Sequence, residues 1–180
     1  MDVDSTRPQE APADALAAAL DLRRGNDQAT VAVDAPTVQW VVFALGDRSF
    51  AFPGAQITEI LPLPPIYVLP GCPPAIEGVI DVRGAIWSVL RLGDLLASES
   101  GPPTRHAAVL LGRTADLESG LRVDAVEDVL EVAQESLLAA PDHLPEALAG
   151  LVSGVFRHCG RPVLALDMGR LFQAWRDGRW

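Results

Sequence analysis

The stretch Gly78–Leu92, with the sequence GVIDVRGAIWSVLRL, decides the fold. Branched and aromatic residues fill two short runs within it, Val79–Val82 and Ile86–Leu90, and Arg83-Gly84 lies between them. Two such runs joined by a glycine-containing dipeptide are typical of a β-hairpin. The residues that follow, GDLL, predict a short helical turn.

A second hairpin is predicted upstream. Val38–Leu45 is rich in branched and aromatic residues, Gly46-Asp47 is a suitable two-residue turn, and Phe50–Phe52 resumes the strand. The next apolar run, ITEIL, fits one helical turn or a bent strand equally well, and the pattern does not decide between them.

A proline-dense connector, Leu61–Pro74, separates the two hairpins. It has too few amide donors for a central strand, so we expect it to run along the surface or along a sheet edge. Its large apolar side chains are expected to pack on the fold: Leu63, Ile66, Tyr67 and Leu69.

The second half of the chain repeats the order of the first. QITEIL is matched by AVEDVL 69 residues later, and GAIWSVLRLGDLL by GRPVLALDMGRLF 76 residues later. Two halves of about 70 residues, each with about five short strands, have the size of small closed barrels. The predicted fold class is all-β, with two small five-stranded barrels around a shared hydrophobic core and short helices.

Residues 1–36 differ in composition from the rest. Ala, Asp and Pro dominate, and one short apolar run around Leu16 and Leu20 ends at Arg23-Arg24-Gly25, which favours a helix end. A tail or linker with a nascent helix and a helix that docks on a partner both remain open. The folded domain is predicted to span residues 37–180.

Charge and hydropathy exclude several functions. Acidic residues outnumber basic ones by 24 to 14, every basic residue is Arg, and the net charge is −10. Nucleic acids and anionic membranes attract clustered cations, so neither is an expected partner. No apolar run is long enough to insert into a bilayer and the first residues lack signal-peptide character, so we expect a cytoplasmic protein.

The residues of chemical interest do not form a recognisable catalytic or metal pattern. Two cysteines and three histidines are present. His158 and Cys159 are adjacent, and in a strand their side chains would point to opposite faces. We therefore predict no catalytic, cofactor-binding or metal-binding residue. A small-molecule site in a barrel mouth, or an enzyme, stays an alternative without a motif behind it.

Arginine and tryptophan are the candidates for binding. Arg83, at a glycine turn between apolar strands, suits recognition of a carboxylate or carbonyl on a partner, although an ordinary solvent-exposed turn arginine fits as well. Trp40 and Trp87 are expected in the core, whereas Trp175 and Trp180 cannot both be buried easily.

Four successive segments resemble the signatures of CheW-like domains, in the right order. They are VVFALGDRSFAFPGAQITEIL, LPGCPPAIEGVIDVRGAIWSVLRLGDLL, GLRVDAVEDVL and VLALDMGRLF, and the resemblance covers about residues 38–174. The most specific piece is GVIDVRG, which is similar to the family's GVxNLRG.

This resemblance implies two barrels of the Src-homology-3-like kind, no catalysis, and binding of both the cytoplasmic tip of chemoreceptors and the regulatory domain of a histidine kinase. It also implies a location at receptor arrays on the inner face of the membrane. Six residues match motif positions that bear on these contacts, the glycines through backbone shape and Ile57 and Arg83 directly: Ile57, Glu59, Gly78, Arg83, Gly120 and Asp124.

Three residues depart from the family pattern: Glu77 stands for a basic residue, Asp81 for Asn, and Arg91 for Asp. These changes lie at or near the expected interface and bear on partner identity. The leading hypothesis is an adaptor in a flagellar pathway or an alternative one such as that of type IV pili. The alternative is a repurposed module that tethers or localises another partner through its N-terminal tail.

Overall fold

The computed structural model describes residues 36–98 and 102–178, which form ten strands, two short α-helices and two single turns of 3-10 helix. Helix α1 is Leu92–Leu95 and helix α2 is Met168–Arg176. The strands are β1 Thr37–Leu45, β2 Arg48–Pro53, β3 Ile57–Pro62, β4 Ile76–Val82, β5 Ala85–Arg91, β6 Ala108–Arg113, β7 Glu118–Val123, β8 Ala125–Ala133, β9 Val152–His158 and β10 Arg161–Leu166.

The strands form two five-stranded sheets, and each sheet contains strands from both halves of the repeat. The first sheet has the order β8-β1-β2-β10-β9, and the second has the order β3-β6-β7-β5-β4. Each hairpin that opens a half, β1–β2 or β6–β7, therefore lies in a sheet with the three later strands of the other half. Parallel pairing of β10 with β2 and of β5 with β7 joins the contributions.

The core has three apolar layers because successive residues of a strand face opposite sides. Phe43, Phe50 and Phe52 of the first sheet pack with Leu90 and Leu121 of the second in a cluster that both sheets share. Alternate residues form one further cluster within each sheet. These inner clusters are Trp40, Val42, Ala51, Val132, Phe156, Val163 and Ala165 in the first sheet, and Ile80, Trp87, Val89, Val109 and Leu111 in the second.

Helix α2 covers one side of the shared cluster. Its buried residues Met168, Leu171 and Phe172 recur at helical spacing, and Trp175 packs half-buried on the same cluster. The Asp167 side chain accepts a hydrogen bond from the Arg170 backbone N–H at 3.0 Å, which caps the first turn. No described helix has the length and hydropathy needed to cross a membrane.

The all-β fold class, with two five-stranded units and a shared core, is confirmed, as are both predicted hairpins. The open segment ITEIL is strand β3, bent by a bulge between Ile57 and Glu59. The connector runs along the edge of β4, where Tyr67 pairs with Val79. Its predicted packing is partly wrong: Leu63 and Ile66 pack on the inner cluster of the second sheet, but Tyr67 and Leu69 are exposed.

The predicted tail at residues 1–36 lies outside the described residues except for Pro36, and Trp180 lies outside them as well. The division at residues 36 and 37 therefore stays a prediction.

The exchange of strands predicts that the two sheets unfold together. Phe43→Ala removes a fully buried ring from the shared cluster and should lower the free energy of unfolding by about 3–5 kcal/mol. In urea titrations followed by NMR, the indole signals of Trp40 and Trp87, one in each inner cluster, should vanish at one common midpoint. Val68→Ala, at a side chain 75% exposed, is the control and should change stability by less than about 0.5 kcal/mol. Separate midpoints for the two indoles would contradict the prediction.

Candidate functional site

The outer strands of each sheet approach each other, so that each sheet curls towards a closed barrel. In the second sheet, Arg83 Nη2 donates to Glu59 Oε1 at 2.7 Å, which joins the end of β4 to β3. In the first sheet, His158 Nε2 lies 3.4 Å from Asp128 Oδ2, which joins β9 to β8. Glu59 and Asp128 occupy matching positions of the repeat, 69 residues apart.

A glycine makes room for the connector at the matching place in each barrel. A Cβ at Gly78 would lie 2.4 Å from the Tyr67 carbonyl oxygen, and a Cβ at Gly154 would lie 2.6 Å from the Leu138 carbonyl oxygen. The connector residue pairs with the edge strand next to each glycine, as Tyr67 does with Val79. Gly78 therefore acts through backbone approach, because any side chain would collide with main-chain atoms.

Arg83 lies at the tip of the β4–β5 hairpin in a fixed backbone conformation. Its φ is 54° and that of Gly84 is 84°, so both central residues of the turn have the positive φ of a type I′ turn. The Gly84 N–H donates to Asp81 Oδ1 at 2.9 Å, which holds the turn further. The Arg83 side chain is 79% exposed even with Glu59 bound, so its guanidinium keeps donors for a partner.

Two large side chains are exposed on the face of the same hairpin and on the connector that pairs with it. Ile86 is 68% exposed and Tyr67 is 63% exposed. Ile86 pairs with Asp81 and Tyr67 pairs with Val79, so all four share the face of the sheet opposite the buried Ile80. We call Glu59, Tyr67, Asp81, Arg83 and Ile86 the tip surface.

Of the six predicted site residues, Glu59 and Arg83 are in direct contact, and Gly78 lies in the same hairpin. The other three take part in packing or turns elsewhere. Ile57 is half-buried against the shared cluster. Gly120 is buried on β7, where a Cβ would lie 2.8 Å from Val109 Cγ1. Asp124 Oδ2 accepts a hydrogen bond from the Gly46 N–H at 2.7 Å and so holds the β1–β2 turn.

The three departures from the family pattern have different surroundings. Asp81 caps the hairpin turn and is exposed on the tip surface. Arg91 is exposed at the start of α1. Glu77 points inward, and its Oε2 atom lies 2.6 Å from Nε of Arg122. The two residues form an ion pair although they belong to different motif segments.

The expectation that the side chains of His158 and Cys159 point to opposite faces is wrong. Strand β9 ends at His158, and Cys159 lies in the turn with a φ of 48°, so the two side chains come together. Cys159 Sγ lies 3.6 Å from His158 Nε2, the nitrogen that also faces Asp128. Because the thiol and the carboxylate approach the same nitrogen, the three groups do not form the relay of a nucleophilic triad.

Comparisons with known proteins agree with this architecture. A family model described as a CheW-like domain matches residues 39–175. The chain is 26% identical to chemotaxis protein CheW of Rhizobium meliloti over 132 residues, which cover 73% of this chain and 85% of the relative. It is 30% identical to protein PilI of Pseudomonas aeruginosa, with 73% of each chain covered. The crystal structure of the scaffolding protein TtCheW from Thermoanaerobacter tengcongensis superposes with a TM-score of 0.68 at 22% identity, covering 76% of this chain and 88% of that one.

The close approach at Gly78 gives a stability prediction. Gly78→Ala should lower the free energy of unfolding by about 2–4 kcal/mol, because the new methyl group collides with backbone of the connector. Gly169→Ala in helix α2 is the control: its Cβ would meet a single side-chain oxygen at 3.2 Å, and stability should change by less than about 1 kcal/mol. Urea denaturation measures both, and a Gly78→Ala protein as stable as the wild type would refute this role.

Proposed function

The chain belongs to the CheW-like domain family, and we propose that it is a non-catalytic adaptor that couples chemoreceptors to a histidine kinase. In this role it binds the cytoplasmic tip of the receptors and the regulatory domain of the kinase. The family match over most of the chain supports the adaptor class, and the tip surface is the observation that supports direct binding.

The tip surface has the composition of an interaction hot spot. Arginine and tyrosine are enriched among residues that dominate binding energy. Here Arg83 lies at the hairpin turn, Ile86 follows it on β5, and Tyr67 pairs with β4 of the same hairpin. An exposed ion pair such as Arg83–Glu59 contributes at most about 1 kcal/mol to stability. Its value in this proposal lies in holding the guanidinium in place before a partner arrives, which reduces the entropy lost on binding.

The proposed location is the cytoplasm, at receptor arrays on the inner face of the membrane. The pathway can be that of flagellar chemotaxis or an alternative one, since the relatives include both a chemotaxis protein and protein PilI. Tethering of another partner through residues 1–36 is the alternative prediction, and all of these residues except Pro36 lie outside the described ranges.

Substitution of Arg83 tests the proposal. Arg83→Ala should weaken binding to the receptor tip or to the kinase regulatory domain by about 10-fold or more, because a hot-spot donor is lost. The matched control is Arg113→Ala at the β6–β7 hairpin of the same sheet, where an arginine is also exposed and also pairs with a glutamate, at 2.8 Å. Isothermal titration calorimetry with each purified partner measures the affinities, and circular dichroism checks the fold.

The control variant should bind both partners as the wild type does. Equal affinities for wild type and Arg83→Ala would show that the tip surface does not bind either partner. A wild-type protein that binds neither partner would contradict the coupling function itself.

A further inference from the structure

The ion pair Glu77–Arg122 lies inside the barrel that the second sheet forms. Glu77 is on β4 and Arg122 on β7, and β5 lies between these strands. The Arg122 Nε and Glu77 Oε2 atoms are 2.6 Å apart, and the side chains are only 12% and 17% exposed. The N–H is not aligned on the oxygen as in a good hydrogen bond, and neither atom makes a hydrogen bond to any other described group, so each charge is neutralised chiefly by the other.

Glu77 is the extra residue of a β-bulge. Ile76 pairs with Leu90 and Gly78 pairs with Val89, so Glu77 has no partner opposite it on β5. A bulge redirects a side chain and bends its strand. Here it turns a carboxylate inward to Arg122, directly before Gly78, where the connector approaches β4, and six residues before Arg83 at the tip of the same hairpin.

The matching bulge in the first sheet is built differently. Val152 pairs with Leu166 and Gly154 with Ala165, which leaves Ser153 as the extra residue, 76 positions after Glu77. The Ser153 hydroxyl donates to the Ala165 carbonyl at 3.1 Å, so this bulge is held locally by a neutral hydrogen bond. An ion pair across the barrel is therefore not a requirement of the bulge.

We propose that Glu77 and Arg122 are positioning residues, which fix the β4 bulge and thereby hold the Arg83 hairpin in its binding orientation. The negative charge at position 77 is neutralised inside the barrel, and it does not contact the partner. This inference rests on the proposed function for the partner, but the positioning itself can be measured on the isolated protein. Removing one member of a shielded ion pair destabilises a protein far more than removing one member of an exposed pair, because the remaining charge is buried without a partner.

The test uses three variants of the full chain. Glu77→Lys places two cations together, and Glu77→Arg combined with Arg122→Glu restores the pair with its charges exchanged. The control is Glu118→Lys, which makes the same charge reversal at an exposed pair of the same sheet, since Arg113 and Glu118 are 56% and 53% exposed. Backbone hydrogen exchange is measured by NMR on the isolated protein, and affinities for the receptor tip and kinase domain by calorimetry.

Glu77→Lys should speed exchange of the Val79 and Gly84 N–H groups by about 10-fold more than it speeds exchange in the β1–β2 hairpin, where any increase reports the lower stability of the whole domain. It should weaken binding of the partner that contacts Arg83 by a similar factor. The exchanged pair should return both values to within about 3-fold of wild type, and Glu118→Lys should change neither.

Three results would overturn the inference: unchanged exchange in the β4–β5 hairpin, exchange that rises by the same factor in both hairpins, or an exchanged pair that binds no better than Glu77→Lys. A wild-type protein that binds neither partner would instead refute the proposed function, and the exchange data would still decide whether the pair holds the hairpin.

Discussion

The apolar layer between the two sheets is the constraint on which the rest of the structure depends. Across this layer the first sheet places Phe43, Phe50 and Phe52 against Leu90 and Leu121 of the second. Neither half of the repeat supplies all five strands of either sheet. Because each hairpin lies in a sheet with strands of the other half, neither half of the repeat can complete a sheet alone. The two barrels therefore form one unit, and surfaces on both are held in a fixed relation by the same core.

The two barrels share a frame but present different surfaces. Both have an edge glycine, a connector bridge and a contact between side chains of the outer strands. The second sheet has Gly78 and Arg83–Glu59, and the first has Gly154 and His158–Asp128. The second sheet adds an exposed arginine and apolar side chains at its hairpin tip, whereas the first presents the acidic strand β8 with exposed Glu127, Asp128 and Glu131. The proposed adaptor role needs two unlike surfaces on one rigid body, and a duplicated frame with different side chains is consistent with that requirement.

The sequence predicts most of the strands, because their alternation and turns are local. The sequence does not predict the exchange of strands, since the two parallel pairings join segments about 30 and 115 residues apart and leave no local pattern. At the site, the family motifs identify Glu59 and Arg83 separately, and the curled sheet brings them into contact. The sequence does not predict that Tyr67 is exposed, because an aromatic residue among prolines has no periodic pattern that would show which way its side chain points. The Glu77–Arg122 pair depends on a one-residue bulge, which periodicity does not register.

Receptor control of the kinase is the property that defines coupling. The direct measurement is ATP-dependent autophosphorylation of the kinase on vesicles that carry the receptor, with and without this protein. The account predicts that the receptor changes the phosphorylation rate strongly only when this protein is present. A kinase that responds to the receptor equally with and without it, or in neither case, would contradict the account.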